Sequence, residues 1–306
     1  MKIGYFADGP WSHKTFEKLI QKKKLVVSFI CARFDKNDEV LRRYARTHDI
    51  PFFSHKNIND QDFLEKVEVK SCDLFVSMSF NQIFRKSTFQ LPPLGTINCH
   101  AGKLPYYRGR NILNWVLIND ESEFGITVHY VDEGIDTGDI IRQETFQITD
   151  ADDYASLLEK AYSGCAELLS KAVDDFLSGD IRRIPQSNIS KHGLYCSART
   201  EGDEIINWNS SSREIFNFVR AITTPGPLAR SFISGEEVKI KKTGFIEGAP
   251  SYKGIPGTIL AKEGLSFLIK TKDSYIRLLD WESSHKLRAG DRFCKNFNNC
   301  GSRGES

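Results

Sequence analysis

The residues with the most chemical potential in this 306-residue chain stand in two short runs, Asn98-Cys99-His100 and Asp132-Glu133-Gly134-Ile135-Asp136-Thr137-Gly138. Asn98 and His100 end a strand-like stretch that begins at Gly95. Positions i and i+2 of a strand project to one side, so the Asn98 carboxamide and the His100 imidazole share a face and Cys99 turns away. Those two groups can donate hydrogen bonds to an oxygen that gains negative charge when a carbonyl is attacked. Asp136, carried by a glycine-flanked loop, can orient the imidazole and drain the proton that an attacking ammonium must lose. Together they suit acyl transfer to an amine, with no covalent enzyme intermediate. Cys99 has the wrong parity for a nucleophile and lacks an evident base. An isolated Asn-x-His at a strand end serves local hydrogen bonding equally well, so the surrounding residues carry weight.

Those residues are Ala101-Gly102-Lys103-Leu104-Pro105-Tyr106-Tyr107-Arg108-Gly109-Arg110. With them the chain resembles the folate-dependent formyltransferase family, whose pattern is Asn-x-His-x-Ser-x-Leu-Pro-x-Tyr-Arg-Gly and then Asp-x-Gly-x-Asp-x-Gly. The likeness runs from the first strand to the long helix that starts near Thr149. One departure is Gly102, where the family usually has Ser. The resemblance implies that Asn98, His100 and Asp136 are catalytic, that N10-formyltetrahydrofolate is the co-substrate, and that no metal is used. It also implies folate contacts at Gln82, Ile83 and Phe84, at Asp132 and Gly134, and at Arg110. Ordinary core packing stays open for Ile83 and Phe84. A non-catalytic binding module would be free to lose one of the three catalytic positions, and all three are present.

Relatives of this kind differ in the amine they formylate. Arg108-Gly109-Arg110-Asn111-Ile112-Leu113-Asn114-Trp115 resembles the sugar-nucleotide formyltransferases. That likeness implies a 4-amino-4,6-dideoxy sugar linked to dTDP or UDP as acceptor, made for O-antigen polysaccharide, and a homodimer; methionyl-tRNA is the alternative. Tyr195 could stack on a base, and Arg199 or Arg220 could hold a diphosphate bidentately, with structural roles open for each. Lys and Arg exceed Asp and Glu by only 42 to 40. Such a balance offers few phosphate contacts and makes nucleic acid an unlikely partner.

The elements that must position these residues are readable in outline. Strand-like runs near Ile3–Phe6, Leu25–Cys31, Asp73–Met78, Gly95–His100 and Phe124–Tyr130 alternate with helical patterns near Thr15–Gln21 and Asp38–His48. Apolar runs separated by helices predict a doubly wound, mostly parallel, Rossmann-like α/β sheet over residues 1–186. A long amphipathic helix capped near Thr149 or Asp150 and stopped by Gly179 closes it. Residues 187–200 read as a linker. Residues 201–293 read as a smaller β-rich, OB-like domain with one helix at Ser212–Ile222, and residues 294–306 as a mobile tail.

Several functions are disfavoured. The first βα turn, Ala7-Asp8-Gly9-Pro10-Trp11-Ser12, lacks G-x-G-x-x-G, and no P-loop or metal cluster stands out. Seven cysteines without a Cys-x-x-Cys pair, and a start that enters a strand directly, suit a reducing, cytoplasmic setting with no membrane span. Lys22-Lys23-Lys24 falls at a helix end, where cations suit the dipole.

Overall fold

A computed structural model describes residues 1–294 of the chain. The mobile tail expected from Cys294 onward therefore lies almost wholly outside the described residues. In chain order the elements are β1 (Lys2–Ala7), α1 (Gly9–Leu19), β2 (Val26–Ala32), α2 (Glu39–Thr47), β3 (Phe52–Ser54), α3 (Gln61–Glu68), β4 (Leu74–Met78), α4 (Lys86–Phe89), β5 (Thr96–His100), β6 (Arg108–Gly109), α5 (Ile112–Ile118), β7 (Glu123–Tyr130), β8 (Ile140–Gln147), α6 (Tyr154–Ser178), β9 (Tyr195–Cys196), α7 (Ser212–Ile222), β10 (Ala229–Ile233), β11 (Glu236–Gly244), β12 (Ile259–Glu263), β13 (Ser266–Lys270) and β14 (Tyr275–Glu282).

The chain divides into two compact units. The first comprises Met1–Ile112, Glu123–Gln147 and Glu159–Ser197, and the second Leu113–Ser122, Ile148–Leu158 and the chain from Ala198. In the first, seven strands form one sheet in the order β3-β2-β1-β4-β5-β7-β8. The first five run parallel, as their apolar sequences predict, and β7 and β8 run antiparallel. Aromatic rings fill one layer: Phe6 stands edge-on to Phe29, Phe63, Phe75 and Phe84, with centroids 4.9–6.3 Å apart.

Helix α1 begins earlier than periodicity suggests, because Pro10 sits in its first turn with its backbone already set for helix. Thr149 does not cap α6. It instead makes a turn of its own, its N–H and hydroxyl donating to Asp152 Oδ2 at 2.9 and 3.1 Å, and the helix starts at Tyr154. Gly179 follows α6 with φ +79°, a left-handed stop. Strands β3 and β8 escape a sequence reading, one for its three residues and the other for its mixed edge-strand composition.

In the second unit five antiparallel strands take the order β10-β11-β14-β13-β12. Helix α7 is started by a capping box between Ser211 and Glu214 and buries Ile215, Val219 and Ile222. No helix among the described residues is long and apolar enough to cross a membrane.

Gly4 shows how tightly the first sheet is covered. A Cβ there would collide with the Phe29 ring and lie 2.8 Å from the Phe75 ring. Gly4→Ala should cost about 1–3 kcal/mol by overpacking. Urea denaturation would show a lower midpoint with an unchanged m-value, and an unmoved midpoint would contradict this packing.

Candidate active site

Strand β5 pairs with β7 so that Asn98 stands opposite His129 and His100 opposite Thr127. The Asn98 amide nitrogen lies 3.4 Å from His129 Nε2. His129 Nδ1 is 2.8 Å from the Tyr130 carbonyl, and His100 Nε2 is 2.7 Å from the Tyr107 carbonyl. A carbonyl oxygen only accepts, so each of these nitrogens carries a proton, and the other nitrogen of each neutral ring is bare. Asp136 sits between those bare nitrogens. Its Oδ2 is 3.6 Å from His100 Nδ1, its Oδ1 is 3.5 Å from His129 Nε2, and the Gly109 N–H donates to Oδ2 at 2.9 Å. The structure therefore brings Asn98, His100 and Asp136 together. It adds His129, which parity alone did not single out because the β5–β7 register was needed to find it.

The loops that deliver these groups are built on close approaches. Asp136 itself adopts φ +54°, so the left-handed residue of its loop is the aspartate and not either glycine. Gly134 and Gly138 are needed for space: a Cβ at Gly134 would strike the Thr137 side chain, and one at Gly138 the Tyr130 carbonyl. Asp132 shapes the same turn by accepting from Gly134 N–H at 3.1 Å and Thr137 Oγ1 at 2.5 Å. On the other loop, β6 pairs with β9, and Gly109, at φ +96°, leaves no room for a Cβ beside the Cys196 carbonyl, 2.5 Å away. Gly102 is buried, and a Cβ there would meet both His100 Nε2 and the Tyr107 carbonyl. This departure from the Ser pattern thus makes room for the bond that orients the imidazole.

Burial and neighbours set the protonation order. The Asp136 and His100 side chains are 12% and 10% exposed. Burial resists ionisation of Asp136, yet the positive charge of His100 and His129 once protonated, together with the Gly109 N–H, outweighs it and holds the carboxyl well below the usual carboxylate range. Burial likewise pushes His100 below its ordinary value, against the opposing pull of Asp136 and the Tyr107 bond. An incoming proton is thus taken by the imidazole before the carboxylate. The separations of 3.5 and 3.6 Å exceed a charge-assisted hydrogen bond and fit rings whose facing nitrogens are bare.

The remaining expectations fare unevenly. Gln82 spends its side chain on the neighbouring loop, accepting from Ile58 N–H at 2.9 Å and donating to the His55 carbonyl at 2.8 Å. Phe84 is core, 7% exposed, whereas Ile83 is 65% exposed on that braced loop. Arg110 is exposed, its N–H donating to the Cys196 carbonyl. Tyr195 lies on β9 with the Arg108 guanidinium 5.4 Å from its ring. Arg220 is 7% exposed, and its guanidinium is committed to the Thr149 and Asp152 carbonyls and to Asn217. It anchors α7 and has no reach for a diphosphate. Arg199 donates to the Asp203 carbonyl at 2.6 Å. Cys99 is buried on the far face, 3.8 Å from the Cys165 carbonyl, as its parity requires.

Residues 2–173 match the formyl transferase domain, and residues 199–297 match the formyl transferase C-terminal domain. The chain belongs to the formyl transferase family. Among curated relatives, the methionyl-tRNA formyltransferase of Thermodesulfovibrio yellowstonii is 34% identical over 78% of this chain and 75% of its own. That of Alkaliphilus oremlandii is 31% identical over 95% of each. The N-formyltransferase of Helicobacter canadensis, solved with folinic acid and dTDP-3-aminofucose, is 22% identical with a TM-score of 0.70, covering 92% of this chain and 99% of that one. At that identity the likeness is one of fold.

The curated relatives, named methionyl-tRNA formyltransferases, overturn the expectation of a nucleotide-sugar acceptor. Two of the residues that suggested it answer to packing: Leu113 is 4% exposed, and the buried Asn114 amide donates to the Ala221 carbonyl of α7 at 2.5 Å. Their identities answer to the second unit's interior and carry little information about an acceptor.

Because the folded Asp136 titrates below its unfolded value, its ionised form contributes stability above about pH 4, and the contribution is lost as pH falls through the folded value. Asp136→Asn removes it. The stability gap between wild type and variant, followed by urea denaturation, should be level above about pH 5 and narrow below about pH 4. A gap that stays constant into acid would contradict the assignment.

Proposed function

We propose that the chain transfers the formyl group of N10-formyltetrahydrofolate to the α-amine of methionyl-tRNA. The carrying observation is that curated relatives matching 78–95% of the chain at 31–34% identity are methionyl-tRNA formyltransferases. The grouping of Asn98, His100, His129 and Asp136 supports the chemistry.

The residues present fit a folate. The loop at residues 82–84 is braced by Gln82 and by Asn59, whose amide donates to the Ile83 carbonyl at 3.0 Å, and it holds the Ile83 side chain out to solvent. An apolar side chain on a braced loop suits one face of a flat ring, and the Asp132–Gly134 turn offers main-chain groups. When bound, the folate supplies an activated formyl group. The Asn98 carboxamide donates a hydrogen bond to a carbonyl oxygen as it gains charge. His100, tied through Nε2 to Tyr107, keeps a bare Nδ1 toward Asp136, and the pair takes up the ammonium's proton between Nδ1 and Oδ2. Asp136 stabilises the imidazolium so formed, and that proton goes to the leaving nitrogen as its bond to the formyl carbon breaks.

The small net charge does not tell against a tRNA. What matters for phosphate binding is where the cations lie, and Lys36, Arg42 and Arg46 border one cavity of about 380 Å³ at the end of β2, while Arg33 on the same rim is held by Asp8 and Asp35. Asp38 and Glu39 line it too, but Asp38 is spent on capping α2 and on His13.

Purified protein given N10-formyltetrahydrofolate should formylate methionyl-tRNA, with a KM that rises steeply with salt, and His100→Asn should lower kcat by about 10² or more. Acid gels that separate formylated from free methionyl-tRNA would record this. Absence of transfer by the wild type, or full activity of the variant, would refute the proposal.

A further inference from the structure

Gln186 lies in a short 3₁₀ turn, Gln186–Asn188, and is 4% exposed. Its backbone neighbour Ile184 pairs with Ile140 at the start of β8, with N–H to carbonyl distances of 2.8 and 2.9 Å in the two directions. That pairing sets the glutamine beside the loop carrying Asp136. Its Nε2 donates to the Asp136 carbonyl and to the Gly138 carbonyl, each at 2.8 Å. Its Oε1 accepts from Arg108 Nε at 3.1 Å and from Arg108 Nη2 at 2.6 Å. Two donors and two acceptors exhaust what a carboxamide offers.

We propose that Gln186 is a positioning residue for formyl transfer. It clamps the main chain on both sides of Asp136 and ties that loop to Arg108, whose neighbour Gly109 donates its N–H to the Asp136 carboxylate. One side chain thereby couples the two loop segments that bound the site, Leu-Pro-Tyr-Tyr-Arg-Gly and Asp-Glu-Gly-Ile-Asp-Thr-Gly. The clamp holds a non-glycine residue at φ +54°, a conformation that needs outside support. The inference rests on the function proposed above only for its catalytic consequence; the clamp itself is geometric. Only an amide satisfies both sides. Glutamate would keep the length and the bonds to Arg108 but turn an acceptor oxygen on two carbonyls, and asparagine would be too short to bridge.

The groups facing Asp136 are His100 from β5, His129 from β7 and the Gly109 N–H from β6, with Asp132 in its own loop and Arg108 behind Gln186. Loosening the clamp moves the carboxylate away from the first three. Gln186→Glu and Gln186→Asn are therefore expected to lower kcat by about 10², with KM for both substrates within about threefold. The ¹³C titration of the Asp136 carboxyl, read by NMR without substrate, should shift upward toward the ordinary value of about 3.9. Unchanged kcat and titration in both variants would overturn the proposal. So would a loss of activity that tracks loss of folded protein while the carboxyl titration stays in place. If the wild type fails to formylate methionyl-tRNA, the functional reading falls, and the carboxyl titration still decides the clamp.

Discussion

A carboxylate held away from water between two imidazoles is the interaction on which the rest of this structure depends. Asp136 stays ionised there because the Gly109 N–H donates to it and because His100 and His129, facing it from β5 and β7, place positive charge beside it once an acid proton reaches them. Each ring is tied on its far nitrogen to a main-chain carbonyl, so neither can rotate to present its proton to the carboxylate. The arrangement amounts to a base with an open proton position, buffered against ionising the wrong group. An amine that must shed a proton as it attacks has somewhere to send it.

Building that arrangement imposes demands at a distance. Tyr107 has φ +54° and Gly109 φ +96°, and together they place a carbonyl over His100 and an N–H over Asp136 within three residues. Thr127 donates to the Gly102 carbonyl at 2.7 Å, and Gln143 donates to Thr127 Oγ1 and the Leu104 carbonyl, so the strand beneath supports the loop above. The parallel strands serve as a rigid platform on which β5 can end in polar residues. The two antiparallel strands beyond it supply His129 and return the chain for the Asp136 loop.

How much of this was legible depended on whether a residue's role follows from local periodicity. The shared face of Asn98 and His100 follows from the two-residue repeat of a strand, and the buried back face of Cys99 follows with it. The doubly wound sheet was legible because β1, β2, β4 and β5 are continuous apolar runs. His129 was not, because its place beside Asn98 depends on an antiparallel register that no local pattern encodes. Gln186 lies in irregular chain, where spacing carries no geometric meaning. For Arg220 the sequence left binding and structural roles open for a related reason: that its guanidinium meets two carbonyls and an amide is a property of α7 meeting the turn at Thr149 and Asp152. The acceptor was misjudged from net charge, an average over the whole chain that does not record where cations gather, as Lys36, Arg42 and Arg46 do around one cavity. It was misjudged again from Leu113 and Asn114, whose identities are set by packing.

The route for the amine's proton depends on which ring nitrogens carry protons. Nitrogen-15 NMR of the histidine rings near neutral pH reports this directly. The structure requires opposite tautomers, with His100 protonated at Nε2 and bare at Nδ1, and His129 protonated at Nδ1 and bare at Nε2. Resonances showing a proton on His100 Nδ1 in the resting protein would mean that the proton position facing Asp136 is already filled, and the proposed route for the amine's proton would be closed.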